Sequence, residues 1–393
     1  MRVYLLVLAV AAACTYLTVP IVRHIALVSH ALTPVRSRDV HQIPIPRLGG
    51  VAMFVGFLTA VAVASHIPFL QGVIGRSAWA VVAGAGLVCL LGVIDDLWDL
   101  DWMTKLVGQV LAAGIMAWQG VQLISFPIGG LTIGSSRLSL VSTVLVVVAV
   151  INAVNFVDGL DGLAAGLIAI GAVAFLLYTY ALTRQYSAGS YASLAATVVA
   201  ALIGICIGFL PHNFHPASIF MGDSGSMQLG LISAAGTIIV TGQIDPAVGG
   251  SQGFPAFLPV LLPFAVLLLP LTDMTMAVVR RMRAGHSPFH PDRMHMHHRL
   301  LDAGHSHRRA VLTMYVWAAA VSFPLAALAL YPLHQVLVGA AVALALALLV
   351  TLDLMPGVRL AVSRHTGGVA GRRTHRRLDR RSRLPHLPGD EED

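Results

Sequence analysis

The chain has 393 residues, of which 57% are hydrophobic and only 11% charged, with a mean hydropathy of +0.80. Soluble domains are about one-quarter charged, so this composition excludes a soluble protein and fits one integral domain that crosses a membrane many times. The net charge of +7 suggests nucleic acid only until the positions are read. The basic residues gather in loops on one predicted side and in the C-terminal tail, which membrane topology explains, and no nucleic-acid partner is expected.

Apolar runs long enough to span a bilayer predict an all-α integral membrane protein of eleven transmembrane helices. They lie near residues 3–25, 49–67, 78–94, 105–121, 138–154, 163–182, 190–210, 226–242, 256–279, 311–331 and 335–352. The first run carries Ala-Ala-Ala-Cys14 and so imitates a cleaved leader. Its apolar stretch continues to Ile25, longer than a signal-peptide core, and it is read as a span. Cys14, Cys89 and Cys206 all lie inside apolar runs without CxxC spacing, which gives neither a disulfide framework nor a zinc cluster.

With the N-terminus outside and the spans alternating, only Arg2, Arg76, Arg137 and Arg184 of the 25 basic residues fall outside. The positive-inside rule therefore places the N-terminus outside and the C-terminus in the cytoplasm. The same alternation puts Asp95, Asp96, Asp99, Asp101, Asp158, Asp161, Asp223, Asp292 and Asp302 at the cytoplasmic face, and the active site is expected there.

The first inner loop ends His41-Gln-Ile-Pro-Ile-Pro-Arg47-Leu-Gly-Gly50, and the second carries Asp95-Asp96-Leu-Trp-Asp99. The third is the centre of the chain: Asn152, Asn155, Asp158 and Asp161 recur at a spacing of three between two apolar runs. On a helix that spacing puts them on one face, while Gly159 and Gly162 interrupt the helix and let a ligand approach the backbone. Acids beside a bilayer are costly and read as functional. The fourth loop contains Asn213, His215 and Phe220-Met-Gly-Asp223-Ser-Gly-Ser226. The fifth, 280–310, carries Arg280-Arg281, His295-Met-His297-His298, His305 and His307. The outer stretch 121–137 has the alternation of a small hairpin. Residues 1–355 form the catalytic membrane domain. Residues 356–393, rich in Arg and without apolar periodicity, are expected to be a disordered cytoplasmic tail near anionic lipid headgroups.

Clustered carboxylates with Asn and no thiolate suit magnesium, which is held by one or two carboxylates plus substrate phosphates. Basic and histidine-rich segments opposite them suit phosphate oxygens. Together these are the parts of a phosphoryl-transfer site.

In their order and spacing, Asp95-Asp96-Leu-Trp-Asp99, Asn152-Ala-Val-Asn155-Phe-Val-Asp158-Gly-Leu-Asp161-Gly, Phe220-Met-Gly-Asp223-Ser-Gly-Ser226 and His295-Met-His297-His298 resemble a known family. It is the polyprenyl-phosphate N-acetylhexosamine-1-phosphate transferases, glycosyltransferase family 4. The motifs cover residues 35–310. Gly-Asp-Ser-Gly-Ser and His-Met-His-His resemble the branch using GlcNAc, specifically its actinobacterial members, rather than the branch making lipid I. The resemblance implies transfer of GlcNAc-1-phosphate from UDP-GlcNAc to undecaprenyl or decaprenyl phosphate in the inner leaflet of a bacterial plasma membrane. UMP is released, in the first membrane step of cell-envelope polysaccharide synthesis.

The resemblance also implies roles, residue by residue. Asp223, helped by Asn155, corresponds to the ligand of Mg2+, with Mn2+ as a substitute. Asp95 and Asp96 correspond to the carboxylates near the lipid phosphate, Asp95 as the preferred base. Gly159, Leu160 and Asp161 correspond to the uracil pocket, with Asp158 beside them and Phe220 stacking on the base. His295, His297 and His298 correspond to the pyrophosphate-contacting loop. Asp158, Asp161, His297 and His298 join Asp95 and Asp96 as catalytic candidates. Arg47 and Arg281 are phosphate candidates, and a homodimer is implied.

Other readings were weighed. Zinc at the fifth-loop histidines is disfavoured, because no Cys joins them and adjacent His297 and His298 cannot share a helix face. His305 and His307 read as surface residues, Asp273 as a buried structural acid, and the tryptophans as interfacial anchors. A phospho-MurNAc-pentapeptide transferase is the nearest alternative. A proton-coupled transporter is the rival from another class, opposed by the gathering of acids at one face.

Overall fold

The computed structural model describes residues 1–29, 44–123, 135–186, 193–243 and 306–351, with 275, 279–280, 282–283 and 285. Among them are ten long helices: α1 Arg2–Val28, α2 Gly49–Ser65, α3 Arg76–Trp98, α4 Trp102–Trp118, α5 Ser136–Val157, α6 Leu163–Tyr186, α7 Leu194–Asn213, α8 Gly222–Gln243, α9 His307–Ala327 and α10 Leu333–Thr351. The chain divides into two compact units, Met1–Ala343 and Leu344–Asp393. Most of the span predicted at 256–279, much of the hairpin at 121–137, His41, Asp273, Arg281, His295, His297, His298, His305 and the tail 356–393 lie outside the described residues.

Seven of the helices (α1, α3, α5, α6, α7, α9 and α10) are long and apolar enough to cross a membrane, and α2 is a shorter apolar helix. The protein is an all-helical, multi-pass membrane protein. Its outward faces carry Leu17, Leu90, Trp118 and Leu145 exposed. So much apolar surface is unsuited to water and suited to lipid, while each helix satisfies its own backbone bonds.

Helix α8 sits at the centre of the first unit, in contact with α2, α3, α5, α6 and α7. Small residues make that crowding possible, because backbones approach most closely where side chains are small. A Cβ on Gly230 would come within 2.5 Å of the Ile151 Cα on α5. Around this centre α7 packs on α1 and α6, and α6 on α9.

The helices run further into the polar motifs than hydropathy predicts. Asp95 and Asp96 lie in the last turn of α3, Asn152 and Asn155 in α5, and Asp223 in the first turn of α8. Hydropathy marks what lipid tolerates, whereas a helix continues wherever its polar side chains find partners inside the protein. Glycine and left-handed residues then end the elements. Asp99 closes α3 at φ 52, and Gly162 at φ 78 precedes α6. Asp101 caps α4 by accepting from the Met103 and Thr104 amides at 3.0 and 3.1 Å, and it also accepts from the Thr104 hydroxyl; the hydroxyl bond above all, then the amides, hold its carboxyl below the usual carboxylate range.

Candidate active site

The ends of α3, α4, α5 and α8 meet in one acidic pocket. Asp96 spans the start of α8, accepting from the Asp223 amide at 3.1 Å and the Ser224 amide at 3.3 Å, one on each carboxylate oxygen. Those amides have no partner within their own helix, and a carboxylate there is favoured by the helix dipole. The approach is close because Gly222 takes φ 67 and a Cβ on it would overlap the Asp96 carboxylate. Gly50 on α2 and Gly92 on α3 also touch the 223–225 backbone, where any side chain would overlap it.

Asp95 is buried and accepts from the Leu100 amide at 2.8 Å. Its other oxygen pairs with the Lys105 ammonium at 2.6 Å, and the same ammonium lies 3.1 Å from Asp223. Asn155 donates its side-chain amide to Asp223 at 3.1 Å and to the Ser226 hydroxyl at 2.9 Å. It steers that carboxylate, and its carbonyl oxygen remains as a ligand atom. Asp158 follows the end of α5. Burial above all, then the charges of Asp223 and Asp96, push its carboxyl up to about 8, against the pull of Arg47. Half-buried Arg47 is the cation on the α2 side. The Pro46 carbonyl accepts from the Phe220 amide at 2.8 Å, and the Gly49 and Gly50 amides donate to the Phe220 and Met221 carbonyls at 2.9 Å. Residues 46–50 are therefore stitched to the segment that carries Phe220 and Asp223.

The four-residue face expected at 152–161 is not formed. Asn152 donates to Gln109 of α4 at 2.7 Å, and Asn155 turns to Asp223. The helix ends at Asp158, so Asp161 leaves the series and points to another group, since a spacing of three means one face only while the helix lasts. Asp99 likewise falls past the end of α3 and is exposed rather than grouped with Asp95 and Asp96.

Asp161 belongs to a second cluster. It is buried, and one oxygen accepts from His215 Nδ1 at 2.8 Å and from the Ala217 amide at 3.1 Å. The Gly162 amide donates to Asn213 Oδ1 at 3.0 Å, and the Tyr315 hydroxyl of α9 donates to the Gly162 carbonyl. The His215 and His307 rings stack with centroids 4.3 Å apart and planes 17° from parallel. His307 is thus buried at 7% exposure, a correction to its reading as a surface residue: a histidine can replace hydration with a ring partner and burial. Leu160 is buried beneath this loop, while Gly159 is exposed.

The sequence reading missed Lys105, Ser226, Asn213, His215, His307 and Tyr315 as contributors. Lys105 carried a signal: it is the single lysine among 25 basic residues, and lysine is the compact, mobile cation of the two. Tyr315 and Ser226 carried none.

Comparison with known proteins gives this geometry its lineage. The profile described as glycosyl transferase family 4 matches residues 78–241, which include both aspartate-rich motifs and Asp223. The decaprenyl-phosphate N-acetylglucosaminephosphotransferase of Mycolicibacterium smegmatis is 44% identical over 349 residues, 87% of this chain and 86% of that one. Its counterpart of the same description in Mycobacterium tuberculosis is 42% identical over 320 residues, 80% of this chain and 79% of the other. A phospho-N-acetylmuramoyl-pentapeptide-transferase of Desulforudis audaxviator is more distant, 30% identical over 307 residues, 71% of this chain and 83% of that one. The chain belongs to glycosyl transferase family 4, the polyprenyl-phosphate N-acetylhexosamine-1-phosphate transferases that its motifs resemble.

Proposed function

We propose that the protein transfers GlcNAc-1-phosphate from UDP-GlcNAc to undecaprenyl or decaprenyl phosphate, releasing UMP. The observation that carries this reading is the convergence of Asp95, Asp96, Asn155, Lys105 and Asp223 at one pocket, on a chain 44% identical to a decaprenyl-phosphate N-acetylglucosaminephosphotransferase. A lipid phosphate oxygen forms a bond to the β-phosphorus of UDP-GlcNAc, and the bond from that phosphorus to the UMP oxygen breaks. The nucleophile needs little deprotonation, since a phosphate monoester with a second pKa near 6 is mostly ionised at neutral pH. Asp95 and Asp96 then act mainly by position, with Asp95 accepting the residual proton. Lys105 and Arg47 offset charge on the phosphates. Gly159, Leu160, Asp161 and Phe220 receive the uridine.

The pocket fits magnesium. Its donors are carboxylate and carboxamide oxygens, and it already draws a cation, the Lys105 ammonium, between two carboxylates. Asp223 and the Asn155 oxygen would hold the ion, with Mn2+ as its substitute. When bound it polarises the transferring phosphoryl group and neutralises its charge. His295, His297, His298 and Arg281 are proposed for the pyrophosphate by resemblance.

The proposed topology has eleven spans, with the N-terminus outside, the C-terminus inside and the pocket at the cytoplasmic face of a bacterial plasma membrane. Basic residues support the orientation. The count gains support from α8 and α9. Asp223 begins α8 at the pocket, and its 22 residues run about 33 Å away. His307 begins α9 beside His215, back at the same end.

The test is UMP release by purified protein in detergent with magnesium, UDP-GlcNAc and each lipid phosphate, with UDP-MurNAc-pentapeptide in parallel. Release from UDP-GlcNAc alone is expected. Release from the pentapeptide nucleotide alone would move the protein to lipid I synthesis.

A further inference from the structure

The second cluster has no part in the acidic pocket, yet it holds the loop assigned above to uridine. Three ties fix residues 160–162. Asp161 is held by His215 and the Ala217 amide, the Gly162 amide by Asn213, and the Gly162 carbonyl by Tyr315. His215 is itself fixed twice by α9: its carbonyl accepts from Arg308 Nε at 2.9 Å, and its ring lies flat against His307. Because a carboxylate oxygen accepts from His215 Nδ1, the proton sits on that nitrogen, and the ring orientation decides which way Asp161 is pulled. A buried carboxylate with two donors is costly to leave half-satisfied, so loss of the ring would release Asp161 and the loop with it.

We infer that His307 and His215 are positioning residues for sugar-nucleotide binding. His307 stacks on His215, His215 aims Asp161, and Asp161 with Gly162 sets the shape of the uridine loop. This inference rests on the transferase reading for the identity of the ligand.

The cluster has a competing reading as a metal site, since one oxygen of Asp161 and one nitrogen each of His215 and His307 lie within 4.8 Å of one another. The ring geometry argues against it. Rings stacked 17° from parallel direct their in-plane lone pairs side by side rather than toward a common point, whereas zinc ligands converge tetrahedrally.

The experiment measures steady-state UMP release at varied UDP-GlcNAc and varied undecaprenyl phosphate, with UMP binding by calorimetry, in four variants of the full chain. His307→Ala and His215→Ala should raise KM for UDP-GlcNAc and Kd for UMP about tenfold, the scale of one lost hydrogen bond to a charged group. They should change kcat less than about threefold and leave KM for the lipid phosphate in place, the signature of lost ground-state binding. His307→Phe keeps a flat ring, and His215→Asn keeps a donor where Nδ1 stood; both should return KM and Kd to near the parent values. Equal losses in kcat and in both KM values, or alanine variants with unchanged KM and Kd, would overturn the positioning role. So would stoichiometric zinc in the parent protein that disappears in His307→Ala. A parent protein that binds UMP but transfers nothing would refute the transferase reading, while the binding series still decides the fate of the loop.

Discussion

The two clusters solve the same problem, holding carboxylates beside a membrane, with opposite materials. The acidic pocket gathers Asp95, Asp96, Asp158 and Asp223 and offsets them with a lysine ammonium, a nearby arginine and the amides at the start of α8. The loop cluster has one carboxylate, Asp161, and ties it with the His215 ring nitrogen and the Ala217 amide. Like charges held together repel unless a cation intervenes, so the first cluster is built to take up a cation. The second, in which a ring nitrogen and a backbone amide converge on one carboxylate oxygen, is built to keep a shape. On the proposed reading chemistry belongs to the first and recognition to the second, and variants should separate them.

The largest effect is expected at Asp223. Asp223→Asn should cut kcat by about a thousandfold, the scale for losing electrostatic stabilisation of a transition state, and chelation of the parent protein should match it. UMP release with and without EDTA is the check; activity that survives both would put the cation elsewhere. Lys105→Ala should come next, lowering kcat about a hundredfold. It should also lower stability in EDTA by about 2 kcal/mol, a figure reduced from the fully buried case because the lysine is partly exposed. Added magnesium should restore the stability but not the rate. Thermal unfolding that ignores magnesium would break the idea that this pocket takes up a cation.

On the other side of the comparison, Tyr315→Phe removes one neutral hydrogen bond, about 1 kcal/mol. It should raise KM for UDP-GlcNAc about fivefold with little change in kcat. A fall in kcat alone would merge the clusters. The last effect is that of pH, which is read on stability and not on the rate. Asp158 in the folded chain keeps its proton up to about 8, while in the unfolded chain it releases it near the ordinary carboxylate value, about 4. Without divalent cation, its contribution to stability is whole below about 4 and is lost as pH rises through about 8. Asp158→Asn should flatten the dependence of unfolding on pH over that window.

The acidic pocket was the legible part. Asp95, Asp96, Asn155 and Asp223 interrupt apolar runs, and a charge beside lipid advertises itself. Ten of the predicted spans overlap the helices now described, because twenty apolar residues have few other uses. Helix ends were not legible, since polar residues such as Asp95 and Asn155 continue a helix once Lys105 and Asp223 reach them from α4 and α8. The partners of Asp161 were hidden for a different reason. Its place in a spacing of three argued for a shared face, although Gly159 and Gly162 already marked an interruption of the helix, and the spacing was given more weight than the glycines. His307 and Tyr315 lie about 150 residues away and resemble any histidine at a helix start and any tyrosine in a span.

The clasp of Asp96 on the first amides of α8 has a mechanical consequence. Asp95 and Asp96 are consecutive on one helix, and Asp223 is the residue whose own amide is clasped. The register between the end of α3 and the start of α8 is therefore gauged at main-chain amides. On the proposed reading the site works as a jig: the backbone that carries Asp223 keeps its place against the helix that carries Asp95 and Asp96, and lipid and nucleotide would come to it in that register.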